Sequence, residues 1–216
     1  MFAHSSHPTS PRIPRRFSLF LAGTLATFTA LLLSGAPVAA AQSAGSGTCP
    51  TPVVSQPFLQ WGDSNSYRLV PDGTFESVPS EWTLSGGAQR TAGSEPYAAA
   101  GVQGSWSLAL PAGASAQTPF MCAGATERTF RFFARGEGFA ASLLPQVVYQ
   151  TPFGNLAVPV SLILPGRSWA PTAILKTGAP LATAIANGTV QLALRFTSLS
   201  GSSKIDDVFL DPRLRR

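Results

Sequence analysis

From residue 58 onward, apolar and polar residues alternate in short runs, and no long stretch keeps a helical period. The run "RTFRFFARG" is the clearest. Phe130, Phe132 and Ala134 fall on one side of it, and Thr129, Arg131, Phe133 and Arg135 on the other. "SWSLALPAG" puts Trp106, Leu108 and Leu110 on one face and stops at Pro111. "LLPQVVYQTPFGN" predicts a strand running into a turn at Phe153, Gly154 and Asn155. "NLAVPVSLILPG" carries Pro159, which suits an edge strand because proline cannot donate to a ladder. "GTVQLALRFTSLSGSSKIDDVFLDP" predicts two strands joined by a Ser/Gly turn at residues 198–203. The one helical candidate, "APLATAIANG" at residues 179–188, is short and ends at an Asn-Gly stop. Many short strands with regular turns, 20 Gly and 19 Pro predict an all-β sandwich or barrel.

The N-terminus has a different pattern. Residues 1–16 carry Arg12, Arg15 and Arg16 and no acid; residues 17–33 are uncharged and largely apolar; small residues follow in "SGAPVAAAQSA". This is the order of a cleaved secretory signal, with the cut after Ala41 or, alternatively, Ala40. A membrane anchor is the competing reading. The apolar run is just under a transmembrane span and has no basic stop, so no transmembrane segment is expected after cleavage. The expected organisation is a signal peptide at 1–41, an extended arm at 42–57, a sandwich domain at 58–212 and a basic tail at 213–216, with the protein secreted and extracellular.

Cleavage changes the chemistry available. The three arginines leave 12 basic residues against 10 acidic, a net charge of +2, and no basic cluster precedes the terminal "RLRR". A nucleic-acid partner has no support in that pattern. Both histidines, His4 and His7, are lost. That removes Ser-His and Cys-His nucleophiles and the usual zinc ligands, and the chain is expected not to be an enzyme. Cys49 and Cys122 remain as an even pair, which in an oxidising compartment predicts one disulfide.

Two separated stretches carry a family resemblance. "YRLVPDGTFESVPSEWTLSGGA" has an apolar strand, a Gly turn, Phe-Glu and a later Trp; "KIDDVFLDP" has an apolar residue followed by Asp-Asp-Val. Together they resemble the opening and closing signatures of secreted jelly-roll modules, the galactose-binding-like sandwiches and carbohydrate-binding modules of families 4, 9 and 22. The resemblance implies an antiparallel β-sandwich of jelly-roll type. The chain as a whole is also similar to a set of short secreted actinobacterial proteins sharing the early Cys, a "WGDSNSY"-like segment, "RFFAR" and a terminal "IDDV". That likeness implies secretion and fold and brings no activity with it. The jelly-roll modules often hold a structural calcium between first and last strands. Carried over, the ligands are the Thr74 carbonyl, Glu76 and Asp206. Alternatively, Glu76 and Asp206 bond to backbone amides or pair with Arg or Lys, and the residues leave both open.

Strand alternation places Asp206 with Val208 and Leu210, and Asp207 with Ile205 and Phe209. Facing opposite ways, they cannot flank one glycosidic bond; a catalytic pair would need another acid such as Glu81, Glu95 or Glu137. Sugar-binding modules use exposed aromatic rings as apolar platforms. Trp82 and Trp169 match core positions of the fold; Trp61, Tyr67, Tyr97 and Tyr149 are less committed, and Trp106, Tyr97 and Trp61 are the candidate ligand-binding residues. The resulting expectation is a secreted, non-catalytic module for cell-wall or environmental glycans. The alternative is a structural or adhesion protein of the cell surface with no small-molecule site.

Overall fold

A computed structural model describes residues 49–79, 81–124, 127–178 and 188–211, except for the side chain of Phe139. The chain divides into two units, Met1–Ala41 and Gln42–Arg216. The first, which holds the expected signal peptide, lies outside the described residues. So do residues 42–48 of the arm, the 213–216 tail and all of the helix candidate except Gly188.

The described residues form no α-helix, one 3₁₀ turn and a set of strands. In chain order these are β1 (Arg68–Leu69), β2 (Thr83–Ser85), β3 (Gln89–Ala92), β4 (Trp106–Leu110), β5 (Ser115–Gln117), β6 (Met121–Gly124), β7 (Thr129–Thr151), β8 (Gly154–Pro159), β9 (Ala170–Pro171), β10 (Leu175–Lys176) and β11 (Thr189–Asp211). Every pairing is antiparallel. β7 and β11 are 23 residues each and pair along most of their length. The outer edge of β11 takes β6, β5, β4 and β1 in turn, and the outer edge of β7 takes β8, β9 and β10.

A ladder this long must fold over to bury anything. Phe196 of β11 is paired with Pro145, 13 residues beyond Phe132 on β7, about 43 Å along an extended strand. Yet the Phe132 and Phe196 rings meet edge to face at 4.8 Å. The two halves of the β7/β11 ladder therefore lie face to face as the layers of a sandwich. The corner falls where the ladder is irregular: Gly138 and Ala140 have φ of 85° and 54°, Gly201 has φ 60°, and the register shifts around Ser200. Bulges of this kind let one strand serve two sheets. The turn expected at residues 198–203 is thus corrected. No chain reversal occurs there, and "VQLALRF" and "KIDDVFL" belong to one bent strand. "RTFRFFARG" and "LLPQVVYQ" are likewise one strand.

The main core fills the space between layers, with Phe130, Phe132, Leu143, Val147, Leu194, Phe196, Ile205 and Val208 all essentially inaccessible. Trp82 belongs to it and donates its indole N–H to the Pro71 carbonyl at 2.8 Å. Pro159 ends β8, which pairs only with β7, as an edge strand should. Cys49 and Cys122 form a disulfide with Cα atoms 5.6 Å apart, tying the arm to β6. Among the described residues, no helix is long and apolar enough to cross a membrane.

Candidate functional site

The outer face of the first β7 half carries a second, smaller apolar cluster. Phe58, Tyr67, Phe133, Trp169 and Phe209 are buried in it, and Trp61 packs against it. Phe133 has the opposite parity to Phe132, so one strand supplies both clusters. A 3₁₀ turn at Leu59–Trp61, closed by Gly62 at φ 77°, folds Trp61 back onto Phe133 at a ring distance of 5.3 Å. Asp63 fixes this turn. Its Oδ1 accepts from the Asn65 amide, and its Oδ2 accepts from the Tyr67 hydroxyl and Arg131 Nη1, both at 2.7 Å. Burial alone would raise the Asp63 pKa, but these bonds and the Arg131 charge outweigh it and hold the carboxyl below its ordinary value. The Arg131 guanidinium also lies over the Phe58 ring at 4.2 Å.

Tyr97 reaches the same cluster from the 93–105 loop. Its ring stands 5.0 Å from Trp61 at 88° and 5.7 Å from Phe133, and its hydroxyl donates to the Trp169 carbonyl at 3.0 Å. Tyr97 stays 40% exposed. Two of the three expected ligand-binding rings, Trp61 and Tyr97, are therefore together and partly open. Trp106 is not with them. It shares the face of Leu108 and Leu110, across the sheet from Phe133, and the Arg90 guanidinium lies 3.7 Å over its ring.

Three carboxylates hold the Tyr97 loop down. Asp206 Oδ2 accepts from Ser94 Oγ and the Glu95 amide at 2.7 and 2.9 Å, and Asp207 Oδ2 accepts from the Ala100 amide at 3.0 Å. Glu95 accepts from the amides of Tyr97 and Ala99. Exposure is 0% for Asp206, 4% for Asp207 and 1% for Glu95. The expectation that Asp206 and Asp207 face opposite ways is corrected here. Asp207 has φ 45°, and the ladder with β7 skips from Asp206 to Phe209. The extra residue switches the alternation, so Ile205, Val208 and Leu210 all enter the main core while both acids serve one loop. Burial pushes the Asp206 pKa up to about 7 against the pull of its hydrogen bonds. Burial and the neighbouring acids Asp206 and Glu95 push Asp207 up to about 8. Sealed beneath the loop, the trio presents no open carboxylate to a sugar bond.

Both acids of the expected calcium site accept from backbone amides. Glu76 Oε1 accepts from the amides of Ser105 and Trp106 at 2.8 and 2.9 Å, and Asp206 Oδ1 accepts from the Asp207 amide. Thr74 Oγ1 accepts from the Glu76 amide at 3.5 Å. These bonds engage one oxygen of Glu76 and both oxygens of Asp206. Among the described residues, no group of three or more acids, cysteines or histidines is arranged to hold a metal. If backbone amides alone satisfy Glu76 and Asp206, a chelator leaves the melting temperature unchanged. A drop of several degrees in excess EDTA, reversed by added calcium, would show that this geometry has been misread.

Beside the aromatic pair the sheet offers a polar row. Lys204 is paired with Arg135 on one side and Ala109 on the other, and Ala109 is paired with Gln89. Paired residues share a face, so Arg135, Lys204, Ala109 and Gln89 stand in line across four strands, one step along β7 from Phe133. Glu137 Oε1 accepts from Arg135 Nη2 at 2.8 Å and pairs with Lys204 Nζ at 3.2 Å. The Arg135 guanidinium lies 5.7 Å from the Trp169 ring. Sequence reasoning did not single out Gln89, Arg135 or Lys204 as site residues. A separate shallow cleft of about 440 Å³, between Val53, Leu69 and Ala100, contains neither Trp61 nor Tyr97.

No protein-family model and no curated protein matches the sequence. Similar solved structures exist. The N-terminal endo-1,4-β-D-xylanase 10B of Clostridium thermocellum, a CBM22-1 and GH10 pair complexed with xylohexaose, is 17% identical over 65% of this chain, with a TM-score of 0.49. This chain spans only 28% of that protein's length. The CBM22-1 xylan-binding domain of Paenibacillus barcinonensis Xyn10C is 14% identical over 64% of this chain and 90% of its own, with a TM-score of 0.46. TmCBM61, in complex with β-1,4-galactotriose, is 14% identical over 66% of this chain and 96% of its own, with a TM-score of 0.38.

Proposed function

We propose that this protein is a secreted, non-catalytic glycan-binding module whose platform is the Trp61–Tyr97 pair. The pairing of these two partly open rings carries the reading. They stand on a rigid bed of Phe58 and Phe133, and a row of hydrogen-bonding side chains begins one step away. Sugar rings bury apolar C–H faces on aromatic rings and need polar groups around the rim for orientation. A ligand-free surface scaffold would not require half-open aromatics beside Arg135, Lys204 and Gln89. The disulfide and the leader-like N-terminus support an oxidising, extracellular setting.

The test is binding of the chain to a glycan panel that includes xylan, β-1,4-galactan and bacterial cell-wall preparations. Trp61→Ala and Tyr97→Ala are each expected to weaken binding about tenfold or more, since a stacked ring contributes roughly 1–3 kcal/mol. Trp106→Ala, on the other face, is expected to leave affinity within about twofold. Retention of no glycan, or Trp61 and Tyr97 variants that bind like the parent, would refute the proposal.

A further inference from the structure

We infer that the glycan taken by this face is acidic, with Arg135 and Lys204 selecting a uronate carboxylate beside the Trp61–Tyr97 platform. The inference rests on the glycan-binding reading and adds the charge of the ligand. Arg135 and Lys204 are cross-strand partners on one face, and a single carboxylate oxygen, Glu137 Oε1, serves both. The trio therefore carries one unbalanced positive charge. The side chains of Arg135 and Glu137 are 34% and 37% exposed, and that of Lys204 is 14% exposed, so the charge is within reach of solvent yet held in place. The Gly166 carbonyl accepts from the Gly136 amide at 2.7 Å, which brings the backbone before the exposed Arg167 to the edge of β7.

The opposing charges are hidden. Asp206 lies two residues from Lys204, but Ser94 and Glu95 cover it; Asp207 and Glu95 are sealed under the same loop. Glu137 is thus the acid that bears on the open part of the row. A guanidinium is planar and can grip a carboxylate through two N–H groups, and Arg135 gives only Nη2 to Glu137. The site sits two residues along β7 from Phe133, about 7 Å, so a sugar over the rings and an acidic neighbour can be held together. Neutral glycans would leave the charge unmatched.

The experiment compares glucuronoxylan, polygalacturonate and alginate, each against its own carboxyl-reduced form, with polyphosphate as a polyanion lacking sugar. At least one uronate polymer is expected to bind about tenfold or more tighter than its reduced form, as a charge-assisted hydrogen bond allows. Arg135→Gln with Lys204→Gln should erase that difference. Glu137→Gln should widen it, because both cations are then released toward the ligand; a merely structural role for Glu137 would not raise affinity. Equal or tighter binding of the reduced forms overturns the inference and leaves the glycan-binding reading standing. Polyphosphate binding as tight as that of the uronate polymers overturns it as simple ion exchange. Failure of every polymer to bind overturns both.

Discussion

Between pH 5 and pH 9 the melting temperature of the folded chain is expected to fall by roughly 10 °C or more. The folded pKa values of Asp206 and Asp207 are raised from 3.8 to about 7 and about 8. The folded state therefore keeps protons that the unfolded state releases above pH 4. Stability is present at low pH and is lost as pH rises through that window, because each step forces a buried carboxylate to ionise next to another. Shifts of this size amount to something on the order of 5 kcal/mol once the mutual repulsion is shared. Asp63 and Glu137 act in the opposite sense. Their folded pKa values are lowered, so their contribution is lost as pH falls below the ordinary carboxylate range. The two trends place maximum stability near pH 4–5, on the acid side of neutral. Thermal unfolding from pH 4 to pH 9 measures this directly. Asp207→Asn should flatten the alkaline limb, since an amide oxygen can still accept from the Ala100 amide without the charge. A melting temperature that rises toward pH 9, or is level throughout, would sink the argument.

Arg131→Met is expected to cost about 3–5 kcal/mol, because it strands a buried charge. The two side chains of the Asp63–Arg131 pair are 7% and 8% exposed and meet at 2.7 Å. Without the guanidinium, Asp63 keeps only the Tyr67 hydroxyl and the Asn65 amide, and the Thr172 carbonyl loses two donors. Neutralising both partners removes the stranded charge, so Arg131→Met with Asp63→Asn should be more stable than Arg131→Met alone. Urea unfolding of the parent, of Arg131→Met and Asp63→Asn singly, and of the double variant resolves this. A loss under about 1 kcal/mol for the single change, or costs that simply add in the double, would mean that solvent reaches the pair.

The period-2 pattern carried most of the fold. It placed Phe132 and Phe133 on opposite faces, and both faces are buried, one in each cluster. Proline's missing N–H marked Pro159 as an edge position, and the even cysteine count marked Cys49 and Cys122 as a pair. The pattern failed at the corners. Ser198, Gly201 and Ser202 have turn composition, yet the ladder with β7 continues on either side of them, and composition cannot distinguish a reversal from a bulge. The same limit misplaced Asp207. A left-handed residue in mid-strand shifts every later side chain by one, and nothing in "IDDVF" announces it. For the site, Trp61 and Tyr97 were legible as aromatics not demanded by the core. Their meeting was not, since it depends on a loop anchored by Asp206 and Asp207, 111 and 107 residues away from the amides they hold. Arg135 was readable as the polar end of "RFFAR", but Lys204 becomes its neighbour only through register.

Among the described residues β11 follows every other strand and lies at the centre of the sheet, touching β1, β4, β5, β6 and β7. None of those strands can close a layer until it arrives. Synthesis thus runs ahead of folding: the sheet stays open until β11 is available. With so many contacts distant in sequence, that closure belongs among the slower, all-or-none events of β proteins.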